Sequence, residues 1–150
     1  MMHLRSRLQR GAPWSALRTT WRNLNTGILK EADNEKRVSM VPSVAEKLIG
    51  KGYKIVVEAG AGAKSGIPDS AYKAVGCSIA SRNQVVGDSE LLFAINPPPE
   101  GELKGYGGKM LVAWVGRRLP EGETYVKAAQ EAKVTLVDTT AVPRITIAQK

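Results

Sequence analysis

Six short apolar runs, each set apart by a polar or helix-patterned stretch, constrain this chain more than any other feature. They are "GILK" (27–30), "YKIVVE" (53–58), "CSIA" (77–80), "ELLFAIN" (90–96), "KMLVAWV" (109–115) and "VTLVD" (134–138). Runs of this length, rich in Val, Ile and Leu and bounded by Gly, Pro or Asp, read as buried strands. "SVAEKLIGKG" (43–52) is predicted to be a helix. Ser43 and Glu46 have capping-box spacing there, Val44 and Leu48 lie four apart, and Gly50 or Gly52 can end it. "DSAYKAVG" (69–76) is a second helix, with Asp69 as N-cap and Gly76 as stop, and "EGETYVKAAQEAK" (121–133) is a third. "NQVVG" supports no more than a helical turn. Pro97, Pro98 and Pro99 close the fourth run, and "GYGG" (105–108) is irregular. Strands alternating with helices at this pitch predict an α/β fold: a parallel Rossmann-like (flavodoxin-like) sheet with flanking helices. This unit occupies residues 27–150.

Residues 1–26 have a different make-up. The net charge of the chain is +8, yet the first acidic residue is Glu31. Residues 1–29 carry five arginines and no acid, which leaves only +3 for the remaining 121 residues. An Arg-rich, acid-free segment with Leu4, Leu8, Trp14, Leu17, Trp21 and Leu24 between its charges reads as a mitochondrial targeting extension. It cannot recover its ordering entropy without something to lie against. The expected partners are other protein subunits of a mitochondrial complex, or anionic lipid. Trp14 and Trp21 would be the apolar anchors, with Arg18 and Arg22 at acidic groups. Nucleic acid is disfavoured, because the excess charge is confined to this segment.

The inventory of reactive side chains is short. Cys77 is the single cysteine, which excludes an intramolecular disulfide and a cysteine metal cage. His3 is the single histidine and lies at the terminus, so nucleophile–histidine arrangements are not expected. "EAGAGAKSG" (58–66) follows a strand and has the look of a phosphate loop. A dinucleotide fingerprint needs glycine at its first, third and sixth positions. Counting from Gly60, the sixth position is Ser65; counting from Gly62, the third is Lys64. A Walker loop needs glycine where Ala63 stands. The expected helix begins only at about Asp69, so no helix N-terminus faces the loop. The stretch is read as a turn whose glycines permit positive φ, and Lys64 is read as a surface residue.

The same stretch has a second meaning. "GILKEADNEKRVSMVPSVAEKLIGKGYKIVVEAGAGAKSGIPDSAYKAVGCSI" resembles the opening of the alpha chain of proton-translocating NAD(P) transhydrogenase and, more distantly, of alanine dehydrogenase. "LLFAINPP", "MLVAWV" and "VDTTAVPRITIAQK" resemble later family segments in the same order. The resemblance covers residues 27–150 and ends before the family's NAD-binding domain.

What the resemblance implies is mixed. Alanine dehydrogenases use an Arg, a Lys and a His from this half. The Arg matches Arg37, the Lys falls on Asn96, and the His falls near Gly116. Arg144 and Gln149 match polar contacts of the loop that approaches the nicotinamide in transhydrogenases. Leu29, Val41, Ala94 and Ile147 replace a usual Pro, Thr, Lys and Arg. The fingerprint glycines and the ribose-binding acid are not in this sequence. The chain is therefore expected to be a non-catalytic accessory subunit of a mitochondrial assembly, on the matrix side of an inner-membrane complex and without a cofactor of its own. A respiratory-chain complex is the first such assembly to consider. The alternative is half of a split transhydrogenase, in which NAD comes with a separate chain. No metal is expected.

Overall fold

The computed structural model describes residues 24–142. The expectations for Trp14, Arg18, Trp21, Arg22, Arg144 and Gln149 lie outside the described residues.

The strands are β1 (Asn25–Ile28), β2 (Lys54–Glu58), β3 (Ser78–Ala80), β4 (Leu91–Phe93), β5 (Met110–Ala113) and β6 (Thr135–Asp138). The helices are α1 (Pro42–Ile49), α2 (Asp69–Ala74), α3 (Arg82–Asp88) and α4 (Pro120–Glu131). Short 3-10 turns cover Ala63–Ser65, Glu100–Tyr106 and Thr139–Ala141. All six strands pair in parallel, in the order β3-β2-β1-β4-β5-β6. This is the doubly wound Rossmann order, and the chain changes direction between β1 and β4.

Every expected strand forms, but several ends differ. β1 begins at Asn25, two residues before the expected strand start. Thr26 is buried and pairs with Ile55 and Leu91. The Glu90 carboxylate accepts from the Asn25 amide at 2.7 Å. Ser43 does not cap α1: Val41 is the N-cap and Pro42 takes the first turn, where its missing N–H leaves nothing unsatisfied. Asp69 is not the N-cap of α2 either. Pro68 is, and the Asp69 carboxylate turns to the Gly60 amide instead. "NQVVG" belongs to a seven-residue helix, α3, which starts at Ser81 with Gln84 reaching back to the Ser81 amide at 3.2 Å.

Side-chain alternation sends successive residues to opposite faces of the sheet. Leu29, Leu92, Leu111 and Ala113 join Val85 of α3 and Tyr125 and Ala129 of α4 in one cluster. Ile28, Ile55 and Val57 join Ala45 of α1 and Tyr72 of α2 in the other. α1 packs on β2 and α2 on β3, so this second face is covered over the β1–β3 half. Over β4–β6 no helix among the described residues covers it. Met110, Val137 and Trp114 there remain 36%, 39% and 53% exposed.

Candidate functional site

In a doubly wound sheet the crevice for a ligand lies outside the carboxyl ends of the strands, where the order reverses. Here that place is bounded by the loops after β1 (29–36) and β4 (94–99). Three carboxylates, each at or just beyond a strand end, organise this edge. Glu31, almost fully buried, accepts from the amides of Ile95 at 2.6 Å and Asn96 at 3.1 Å and so ties the β1 loop to the β4 loop. Glu58, at the end of β2, accepts from the Lys30 amide at 2.7 Å and from Arg82 Nη1 at 3.0 Å. Asp138, at the end of β6, accepts from the amides of Val115, Arg117 and Thr140 and from the Thr140 hydroxyl. Burial pushes the Asp138 carboxyl up, but the Thr140 hydroxyl and these amides outweigh it and hold the group down at about 2. Backbone amides gathered at the edge of a sheet can form a concavity for an anion. Here the chain's own carboxylates occupy them.

Two of the expected site residues come together. Arg37 and Asn96 line a cleft of about 530 Å³ with Ser39, Phe93, Trp114 and Thr139. Both reach the same carboxylate. Glu35 receives Arg37 Nη2 at 2.7 Å and Nε at 2.9 Å, and lies 3.4 Å from Asn96 Nδ2. The two-pronged guanidinium bond is the dominant reason the Glu35 carboxyl is held at about 2. Gly116, near which the resemblance was expected to place the family's histidine, follows β5 with φ of +69°. Ala94, just past the end of β4, and Leu29 are both buried in the core.

A smaller hollow of about 300 Å³ lies between Lys30, Glu58, Arg82 and Glu102. Arg82 is engaged from three sides: Glu102 at 2.8 Å, Glu58 at 3.0 Å and the Lys30 carbonyl at 3.3 Å. Tyr106 donates to Glu102 at 2.9 Å, and burial pushes its hydroxyl far up.

The glycine-rich loop after β2 is closed on itself. The Gly60 amide, which would face a phosphate, meets the Asp69 carboxylate at 2.9 Å and 3.2 Å. Lys64 reaches Asp33 at 2.6 Å, and the Ser65 hydroxyl donates to the Lys36 carbonyl at 2.7 Å. Gly60 and Gly66 have positive φ, as expected, but Gly62 does not. A Cβ on Gly62 would come within 2.7 Å of the Ile67 carbonyl and 2.9 Å of the Tyr72 ring, so glycine is needed there for close approach.

Arg37 and Asn96 were visible in the sequence through the resemblance. Glu31, Arg82 and Asp138 were not singled out. The signal that could have found the carboxylates is positional: an acid at or within three residues of a strand's end, in strands otherwise free of acid.

Comparison with known proteins places this geometry in a family context. Residues 27–150 match the family model described as alanine dehydrogenase/PNT, N-terminal domain. The chain is 34% identical over 128 residues to the first part of the divided NAD(P) transhydrogenase subunit alpha of Rickettsia prowazekii, an alignment that covers 81% of this chain and 33% of the relative. It is 31% identical over 112 residues to alanine dehydrogenase of Bacillus subtilis, covering 74% of this chain and 29% of that protein. The transhydrogenase structure from Sinorhizobium meliloti superposes with a TM-score of 0.76 at 31% identity, covering 83% of this chain and 37% of that one. The chain thus spans about a third of the length of the relatives it matches.

Proposed function

The chain belongs to the alanine dehydrogenase/PNT N-terminal domain family, and we propose that it serves as a non-catalytic structural subunit of a mitochondrial assembly, a respiratory-chain complex first among the candidates. The observation that carries this reading is the state of the Arg37 cleft. Its guanidinium is held on two prongs by Glu35, and by the resemblance the family's lysine falls on Asn96 and its histidine near Gly116. Proton transfer needs a group that titrates near the working pH. Glu35, held at about 2, is not such a group. The mitochondrial half of the proposal rests on the Arg-rich, acid-free composition of residues 1–29.

A second reading is half of a split transhydrogenase. It is favoured by the convergence of Arg37 and Asn96 on one cleft, and by a relative whose own name describes one piece of a divided alpha subunit. Separating detergent-solubilised source mitochondria at native mass, with mass spectrometry of what co-migrates, decides between them. The structural reading expects this chain in a large assembly without a nucleotide-binding relative of the family beside it. Co-migration with such a chain, together with hydride-transfer activity, would establish the split enzyme. A small free species would sink both.

A further inference from the structure

Asp138 differs from the other carboxylates of the carboxyl edge in meeting three consecutive amides of one loop. Val115 donates to its Oδ1 at 3.1 Å, Gly116 to the same oxygen at 3.4 Å, and Arg117 to Oδ2 at 3.1 Å. The Thr140 amide and hydroxyl complete the set at 3.0 Å and 2.6 Å. Consecutive amides that converge in a turn form a nest, a concavity suited to an anion. The Asp138 side chain fills this one as a free carboxylate would, but from within the chain.

The loop has supports besides that carboxylate. Gly116 takes a φ of +69°, which glycine adopts at no steric cost. Its carbonyl accepts from the Leu119 amide at 2.8 Å and closes the turn. Val115 is buried in the core cluster with Ala113. From the other side α4 presses on the loop so closely that a Cβ on Gly122 would overlap the Gly116 carbonyl. The charge beside the nest is also positive. Arg117 and Arg118 are both exposed, and among the described residues neither is paired with a carboxylate, whereas Arg37, Lys64 and Arg82 of the same edge are.

We propose that the amides of Val115, Gly116 and Arg117 are a binding site for an oxyanion, a carboxylate or phosphate group, and that Asp138 is its built-in ligand. The site lies on the rim of the Arg37 cleft, since Trp114 and Thr139, the chain neighbours of Val115 and Asp138, both line that cleft. An external anion has to displace a ligand that the chain itself holds at high effective concentration. The site is therefore shut in the unmodified chain and opens when residue 138 loses its carboxylate. This does not depend on the function proposed above.

Thermal unfolding of the full chain and its Asp138→Ala variant tests it, in sodium formate, sodium phosphate and sodium chloride at equal ionic strength. An anion that fills the nest binds the folded chain alone and raises the midpoint by mass action. Relative to chloride, formate or phosphate at about 0.2 M is expected to raise the midpoint of Asp138→Ala by at least about 3 °C more than that of the unmodified chain. The larger of the two rises identifies the class of oxyanion. Should Asp138→Ala be unfolded in chloride, recovery of its helical circular dichroism in formate or phosphate is the same result. Asp138→Asn, whose side-chain oxygen still accepts from the amides, should respond as the unmodified chain does. A response of Asp138→Ala no larger than that of the unmodified chain overturns the proposal. So does an equal response in Asp138→Asn, which would place the anion elsewhere.

Discussion

The glycine-rich loop after β2 and the crevice between the β1 and β4 loops occupy equivalent places, each at the carboxyl end of a parallel strand. Each is also where a reader of the sequence would put a ligand. The structure closes them by one device, a carboxylate of the chain placed on an amide that could have met an anion: Asp69 on Gly60, Glu31 on Ile95 and Asn96. They differ in what is left over. The loop is packed so tightly that a Cβ on Gly62 would meet backbone and ring atoms within 3 Å. The crevice keeps a hollow of about 300 Å³ between its two loops, and beside it, past Arg37 and Asn96, lies a cleft of about 530 Å³. The polar groups facing that room are paired as well: Arg37 and Glu35 face each other there.

Removing the tie should have the largest effect. Glu31→Ala is expected to destabilise the fold by about 3 kcal/mol, because hydrogen bonds to a charged acceptor contribute roughly 1.5–3 kcal/mol each and two amides lose theirs. Urea denaturation measures this, and a change below about 1 kcal/mol would mean that the β1 and β4 loops are held by something other than Glu31. Gly62→Val comes next, with an expected cost of about 1–3 kcal/mol from overpacking against Ile67 and Tyr72. Lys64→Ala, in the same loop, should stay within about 0.5 kcal/mol, since its partner Asp33 is fully exposed. A large loss for Lys64→Ala, or none for Gly62→Val, would reverse the picture of a loop fixed by packing rather than by its lysine.

Two carboxylates at the carboxyl edge of the sheet also set an acid limb. Glu35 and Asp138 both have folded pKa values lowered to about 2, from ordinary values of 4.5 and 3.8. A lowered carboxyl stabilises the fold fully above its unfolded pKa and loses that contribution as pH falls through the folded value. Stability should thus decline between about pH 4.5 and 2 on account of these two groups. The decline should be shallower in Asp138→Asn, whose side-chain oxygen can still accept from the amides but does not titrate. An unaltered slope in that variant, followed by thermal unfolding across this range, would remove Asp138 from the edge's electrostatics.

Much of the fold was legible because apolar runs bounded by turn formers report burial directly: all six strands and their alternation with helices follow from them. Helix starts were less legible. The Ser43–Glu46 spacing suggested a cap, but Pro42, one residue earlier, already fitted the first turn. The true N-terminus of α3 lay in Ser81 and Gln84, just outside the stretch that looked apolar enough to be a helix. The site was legible only as residue identity. Arg37 and Asn96 were expected from the resemblance, whereas Glu31 acts on amides 64 and 65 residues away and leaves no local pattern. The bare face of β4–β6 was hidden for the same reason. "KMLVAWV" reads as fully buried, and only the positions of the crossover helices reveal that one of its sides is uncovered among the described residues.

Calorimetric titration of the purified full chain with NADH tests most directly the claim that the strand-end amides and the Arg37 fork are already occupied by the chain's own carboxylates. The account predicts no heat attributable to a dissociation constant at or below tens of micromolar, the equivalent of about −6 to −7 kcal/mol. Saturable binding at or below that concentration, weakened by Arg37→Ala, would show that the cleft still accepts a nucleotide and would contradict it.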